Sequence, residues 1–389
     1  MCFAQSAWSR RYDRPPIAKC GMPPLPSGLF KVVRVGGERH RLGPSLQLKI
    51  INVKMTHEPF VRPAGLDRES SAQFTEIRVR GKTVKVPSTC IQGRTIIVKG
   101  KWVKLAAVKD EDCLEGDVVD NPDLFVTQLK EGPLKVDLFT FAEEPTSTKP
   151  EYGYHIEWDS AAIIPIRDYA GWWEKLPQET RRNVRKAAKC GVDVKAAPFN
   201  DELVRGIVDI YNETPMRQGK RFWHYGKSFE IVREETATYL ERSEFIGAYC
   251  QDALIGFIKV VYVHKCARII HILSKEQHAD KRPTNALIAK AVQVCAEKGI
   301  TSLQYQKYIY GGNQASPLTE FKRRNRFEEV RYPRYYIPIS TIGKLALKLK
   351  LHHGLIHLLP EKVSVSLRSM RKRALEILCR IPLAAAKSR

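Results

Sequence analysis

From Phe74 onward apolar and polar residues alternate with a period of two, Ile77 and Val79 followed by Val84 and Val86 with Gly81 and Lys82 between, which predicts a hairpin. A second alternating run, Ile96 to Val98 and then Trp102, Val103 and Leu105, turns at Gly100 and Lys101 and predicts another. Asn121 before Pro122 opens a short helix through Leu129, and apolar stretches at 136–141 and 155–166 read as strands. From Tyr169 the period changes. A helix is predicted over 177–190 with Gly191 as its stop, and Asp201 caps another in which Leu203, Val204, Ile207, Ile210 and Tyr211 recur at helical spacing. Strands over 245–249, 254–263 and 268–273 predict an antiparallel meander, the first two joined by a turn at Gln251 and Asp252. A helix over 285–298, a strand over 302–305, a helix over 317–324 and a strand over 332–337 complete the pattern.

This order gives an α/β (α+β) chain in four parts. Residues 1–54 mix prolines and basic residues without a period and read as a poorly ordered extension, with Met55 a candidate start. Residues 55–166 form a smaller N-terminal α/β lobe, residues 167–340 a second lobe, and residues 341–389 a basic amphipathic tail. The tail sets Leu345, Leu347, Leu349, Leu351, Leu355 and Leu358 among lysines and histidines, a pattern that either packs on the core or lies on an anionic membrane surface.

Charge changes the picture most. Lys and Arg number 65 against 42 Asp and Glu, a formal +23, so tRNA, nucleotides, CoA phosphates and anionic lipid are all partners in kind, and a cationic surface kept for solubility is the plainer reading. Nine scattered cysteines without CxxC spacing read as free thiols in a reducing compartment, hence a cytoplasmic location. His352 and His353 are adjacent and have no cysteine nearby, so no metal is expected. The chain has no apolar run long enough to span a bilayer.

The clearest single feature is a basic stripe. Arg181, Arg185 and Lys189 fall at i, i+4 and i+8 with Arg182 and Lys186 beside them, while Val184 and Ala187 lie opposite, so several cations on one helix face can meet successive phosphates. A solvated face is the alternative. Lys281, Arg282 and Asn285 stand at the start of the predicted helix over 285–298, where free N–H groups favour an anion. In the stretch 211–226, Glu213 and His224 are candidate bases and Arg217 and Lys220 candidate phosphate-binding cations, while Phe222, Trp223 and Tyr225 either stack on an acceptor or fill the core. Glu213 also reads as a simple ion-pair partner of Arg217.

Two of these stretches, RRNVRKAAKCGVDV (181–194) and YNETPMRQGKRFWHYG (211–226), resemble Fem-type peptidyltransferases and related GNAT-like acyltransferases. So do NALIAKAV (285–292) and LTEFKRRNRF (318–327). The resemblance covers roughly residues 172–338 and implies a GNAT-type mixed, mainly antiparallel sheet flanked by helices, the first lobe being a degenerate copy of the same fold. It implies an N-acyltransferase that moves an acyl or aminoacyl group from acyl-CoA or aminoacyl-tRNA to an amine, with Lys322 near the reacting carbonyl. Two departures stand out. Arg326 occupies the place of a usual glycine, and the loop DKRPTNA (280–286) lacks the glycines that cradle a pyrophosphate. A non-catalytic RNA- or anion-binding protein on the same fold is the alternative.

Overall fold

A computed structural model of the chain describes residues 73–79, 82–114, 118–145, 147, 149–217, 220–309 and 316–353. The extension expected over residues 1–54 and the tail beyond His353 lie outside them.

Both period-two hairpins form, β1 (Gln73–Val79) with β2 (Lys82–Ile91) and β3 (Arg94–Lys99) with β4 (Leu105–Val108). Helix α1 (Pro122–Glu131) starts because the Asn121 side chain accepts the Leu124 N–H, and because proline at its first position forfeits no hydrogen bond there. Strands β5 (Leu138–Ala142) and β6 (His155–Pro165) follow. The pattern does not announce α2 (Tyr169–Lys175), which is capped by Asp168 on the Gly171 N–H at 2.6 Å. Helix α3 (Gln178–Lys189) stops at Gly191, whose φ of 72° needs no Cβ accommodation.

Strand β7 (Val192–Ala197) leads to α4 (Asp201–Tyr211), and here the cap is Asn200 rather than Asp201. Asn200 is extended, as a cap must be, and its Oδ1 accepts the Leu203 N–H at 2.9 Å. A two-residue ribbon, β8 (Met216–Arg217) and β9 (Lys220–Arg221), precedes α5 (Phe229–Thr236), a second helix the sequence pattern did not reveal. The expected meander is β10 (Ser243–Cys250), β11 (Ala253–Val263) and β12 (Cys266–Ser274), with Gln251 and Asp252 both at positive φ as a tight hairpin turn requires. The chain closes through α6 (Pro283–Glu297), β13 (Ser302–Gln304), α7 (Pro317–Arg324), β14 (Glu328–Pro338) and α8 (Thr341–Lys348).

Twelve strands make one sheet in the order β1-β2-β3-β4-β5-β14-β6-β13-β12-β11-β10-β7. The order is palindromic in kind. On each side a set of antiparallel strands ends in one parallel pair, β4 with β5 and β12 with β13, each joined by a crossover helix, α1 or α6. Each side is then completed by a strand from the other: β14 follows the second half in sequence but pairs with β5, and β6 follows the first half but pairs with β13. Strands β6 and β14 pair with each other at the centre. The first half thus repeats the topology of the second, and the two share a continuous backbone ladder.

Three apolar cores hold this sheet. Val98, Phe125, Phe139 and Tyr335 pack under α1, while Trp172, Ala187, Ile258, Leu287 and Val292 pack where α2, α3 and α6 cover the second half. On the opposite face α4 and α5 bury Val204, Ile207, Val232 and Phe257. Strand β11, covered on both sides, reads as a continuous apolar run for that reason.

Candidate functional site

The site is built around the place where β12 and β13 part. They pair in parallel over Cys266, Ala267 and Arg268 only. Beyond that, β12 runs on to Ser274, whereas the chain after β13 turns to β6: the Tyr305 N–H donates to Ala162 O, and the Ala162 N–H donates to Gln306 O. The register of β12 against β11 shifts in the same region, leaving Ile270 as the extra residue of a bulge that bends the strand. Among the described residues β12 and β13 therefore diverge past Arg268 in a wedge, and the first turn of α6 lies against the far end of β12. Thr284 in the first turn of α6 is held to the end of β12 by a 2.9 Å contact between its hydroxyl and that of Ser274.

The residue that starts α6 is Arg282, in the left-handed region at φ 61°, and its side chain makes no capping bond. A loop without glycine thus takes a glycine-like backbone there, a strain of about 1–2 kcal/mol. Burial pulls the Arg282 guanidinium below its ordinary pKa, against the raising effect of Glu179 and Asp280. Lys281, half-buried, lies 3.3 Å from His278 Nδ1.

Helix α3 packs along α6 in the orientation its wheel predicts. Ala187 is buried and Val184 half-buried, while Arg182, Arg185, Lys186 and Lys189 are exposed and Arg181 is half-buried. Arg185 lies over the Trp173 ring at 5.6 Å. The N-terminal end of α3 is tied to α7, with the Thr180 hydroxyl donating to Arg324 O at 3.0 Å and Arg324 paired to Glu179 at 3.2 Å.

Helix α7 carries Lys322, fully buried, its Nζ donating to Lys307 O and lying 4.6 Å from the Tyr305 ring centroid. Burial pushes its pKa down to about 7. Asn325, 1% exposed, links this helix to α6 through Asn285, which is itself buried and bonded to Asn325 Oδ1 at 3.3 Å. Arg326 then takes φ 63°, with the Phe327 N–H donating to Lys322 O and the Arg326 N–H to Arg323 O. This is the paired closure of a Schellman turn. The glycine-less turn forms all the same, at a cost in strain. Arg326 is exposed, so Arg326→Gly loses no packing and is expected to stabilise the protein by about 1 kcal/mol, raising Tm by roughly 2–4 °C in thermal unfolding.

The stretch 211–226 takes different roles from those its residue types predict. Arg217, proposed from sequence as a surface cation for phosphate, is 3% exposed. It pairs with Glu213 at 3.0 Å, donates to Ser274 O and Ile210 O, and lies over the Phe222 ring. Glu213 accepts the backbone N–H groups of Glu276 and Gln277 at 2.7 and 2.9 Å, so both its oxygens are engaged in holding the turn that leads into α6. For His224, read from the sequence as a base near neutrality, burial foremost and then the charge of Lys227 push the pKa down to about 2. Its ring lies tilted against that of Tyr211 at 4.3 Å.

Glu213 and Arg217 thus pair with each other and hold the turn before α6, and Asn285 joins α6 to Asn325 after α7. Lys281 and Lys322 make contacts elsewhere, with His278 and with Lys307 and Tyr305 respectively, and His224 lies against Tyr211. Sequence reasoning missed Tyr305, Asn325 and Glu179, which seat Lys322, Asn285 and Arg324; no local spacing marks them. A separate, shallow cleft lined by Glu111, Asp112, Glu143, Glu144, Arg268 and Tyr332 among others contains none of the candidates. In the tail, α8 buries Gly343 and Ala346 against the end of β14 and exposes Ile342, Leu345 and Leu349. Among the described residues no helix is long and apolar enough to cross a membrane.

No protein-family model matches the sequence, and no curated protein matches it. Among solved structures the chain is similar to L-PGS from Bacillus licheniformis, with 13% identity over 66% of this chain and 84% of that one and a TM-score of 0.43. It is similar to FemX, at 11% identity, 72% and 90% coverage and a TM-score of 0.46. A tandem GNAT protein from the clavulanic acid biosynthesis pathway follows at 11% identity, 66% and 82% coverage and 0.38. At these identities and TM-scores the likeness carries no argument beyond the architecture already described, a mixed, mainly antiparallel sheet flanked by helices.

Proposed function

We propose that this chain is an N-acyltransferase that takes an acyl or aminoacyl group from a phosphate-bearing donor, acyl-CoA or aminoacyl-tRNA, and passes it to an amine. The observation that carries the reading is the wedge between β12 and β13, with the first turn of α6 against the far end of β12. An extended donor arm can lie against the unpaired edge of β12, as an added strand would, while its phosphates meet the helix N-terminus, Lys281, Arg282 and the α3 stripe.

Chemistry then needs a proton acceptor for the attacking amine and a donor for the oxyanion. Lys322 suits both tasks near neutrality, because burial brings its pKa to about 7. Neutral, its Nζ accepts the proton released as the amine nitrogen bonds to the acyl carbon; protonated, it returns that proton to the donor sulfur or ribose oxygen as the bond from that atom to the acyl carbon breaks. Reaching a substrate from its present seat requires the Tyr305–Lys307 stretch to part from α7. Glu213, Arg217 and Asn285 act as positioning residues that hold the first turn of α6. A cytoplasmic location fits the free thiols seen among the described cysteines.

The full burial of Lys322 favours one second reading, an RNA- or anion-binding protein without transfer activity. The two separate in one experiment. The purified chain is incubated with acyl-CoAs or charged tRNA and a panel of amines, product is read by mass spectrometry, and donor binding is followed in parallel over a salt series. The proposal expects amide product, together with binding that weakens with salt and falls about 10-fold or more in Arg181→Glu/Arg185→Glu. Salt-dependent binding with no product on any donor supports the second reading.

A further inference from the structure

Strand β6 carries His155 and Glu157 two residues apart, hence on one face of the sheet, and the 3-10 turn Leu351–His353 brings two adjacent imidazoles over that face. Glu157 Oε1 lies 2.8 Å from His352 Nε2 and 3.0 Å from His353 Nε2. Glu157 Oε2 lies 2.9 Å from the same His353 nitrogen, and His155 Nε2 stands 3.8 Å from Oε1. One ligand atom from each of Glu157, His352 and His353 falls within 4.8 Å of the other two.

The surroundings are those of a built site. The His352 side chain is fully buried, its Nδ1 has no hydrogen-bond partner, and Tyr336 packs on its ring at 4.6 Å. The two imidazole centroids lie 4.1 Å apart with the rings tilted, so two ring nitrogens converge on one carboxylate. A divalent cation would take a lone pair from each imidazole and from one carboxylate oxygen.

The geometry points to a mononuclear site for a borderline divalent transition-metal ion of the Zn²⁺ class, held by Glu157, His352 and His353. Nitrogen and carboxylate donors at this separation suit bonds of about 2.0–2.2 Å to such an ion after a slight spreading of the hydrogen-bonded pairs. The absence of cysteine spacing led the sequence reading to expect no metal; Glu157, far away in sequence, supplies what spacing could not show. The site fastens the chain just after α8 to β6, one of the two central strands of the sheet.

The test uses the full chain stripped with EDTA, titrated with Zn²⁺ against a chromophoric chelator and separately with Co²⁺, beside Glu157→Gln and His353→Ala. The His353 side chain is 35% exposed, so its replacement leaves the fold standing, which circular dichroism of the metal-free variants checks. The expected result is about one equivalent of tight Zn²⁺ in the wild type that both variants lose, with a Tm rise of a few degrees that EDTA reverses. Cobalt is expected to give visible bands without thiolate charge-transfer absorption in the near ultraviolet. Equal Zn²⁺ uptake by all three proteins, no stoichiometric uptake by the wild type, or a thiolate-dominated cobalt spectrum overturns the site.

Discussion

Lys322→Met is expected to lower the rate of acyl transfer by about 10²-fold or more while leaving donor affinity within about twofold, because Lys322 is fully buried at Lys307 and Tyr305, unlike the exposed cations of α3, and serves the proton. The same variant has a stability signature independent of any substrate. Lys322 is fully buried and its pKa falls from 10.5 to about 7 in the folded chain, so between those values the unfolded state binds a proton that the folded state does not. Wild-type stability therefore rises as pH is raised from about 7 toward 10, by at most about 1.4 kcal/mol per unit. The carbonyl of Lys307 and the face of Tyr305 offset part of the burial cost by favouring the cation. Methionine, similar in volume and without charge, should flatten the slope and be more stable than wild type below pH 7. Urea unfolding at several pH values reads both effects, and a variant with the wild-type slope would mean that Lys322 does not titrate in this range.

Arg334→Met is expected to cost about 3–5 kcal/mol, the largest stability loss of any single change considered, because it strands two carboxylates. Arg334 lies on β14 and pairs with Glu111 at 2.8 Å and Asp159 at 3.0 Å, all three side chains being less than one-fifth exposed. Glu111 also accepts the Ala142 N–H, and Asp159 holds Lys307, whose carbonyl receives Lys322. One guanidinium thus joins the first half, the exchanged strands and the loop under the candidate site. Burial raises the pKa of Asp159, but Arg334 and Lys307 outweigh it and hold the carboxyl below its ordinary 3.8. A depressed carboxylate contributes stability above its unfolded pKa and loses it as pH falls through the folded value. The deficit of the variant should therefore be greatest near neutrality and shrink below pH 4. Chemical unfolding at pH 7 and pH 3 measures it; an equal deficit at both would assign the loss to packing instead.

The sequence was legible wherever structure is local. The two hairpins, the meander, α1, α3, α6 and α7 follow from period, caps and turn residues, and the basic face of α3 lies where its wheel puts it. Helices α2 and α5 escaped because each buries one apolar residue, Trp172 or Val232, too few to reveal a period, whereas the equally short α7 is marked by Ser316 and Pro317 at its start. The exchange of β6 and β14 was invisible because strand order depends on pairing between distant segments. Among candidate residues, Lys281, Arg282 and the α3 cations lie at the helix start and on the helix face where the sequence puts them. The burial of Arg217 and His224 was not legible because residue type carries no record of it: at 3% exposure the Arg217 guanidinium is a strut for Glu213 and Ser274. Two arginines in left-handed conformation, Arg282 and Arg326, stand where glycine would be expected, and composition alone gives no sign that the backbone accepts them.

Hydrogen–deuterium exchange of the full chain, with and without saturating CoA or tRNA, tests the placement of the donor most directly. Protection is predicted along 269–274 of β12 and in the first turns of α6 and α3, with little change in β1 to β5. Protection confined to other surfaces, or none while the ligand is demonstrably bound, would contradict the wedge as the donor site.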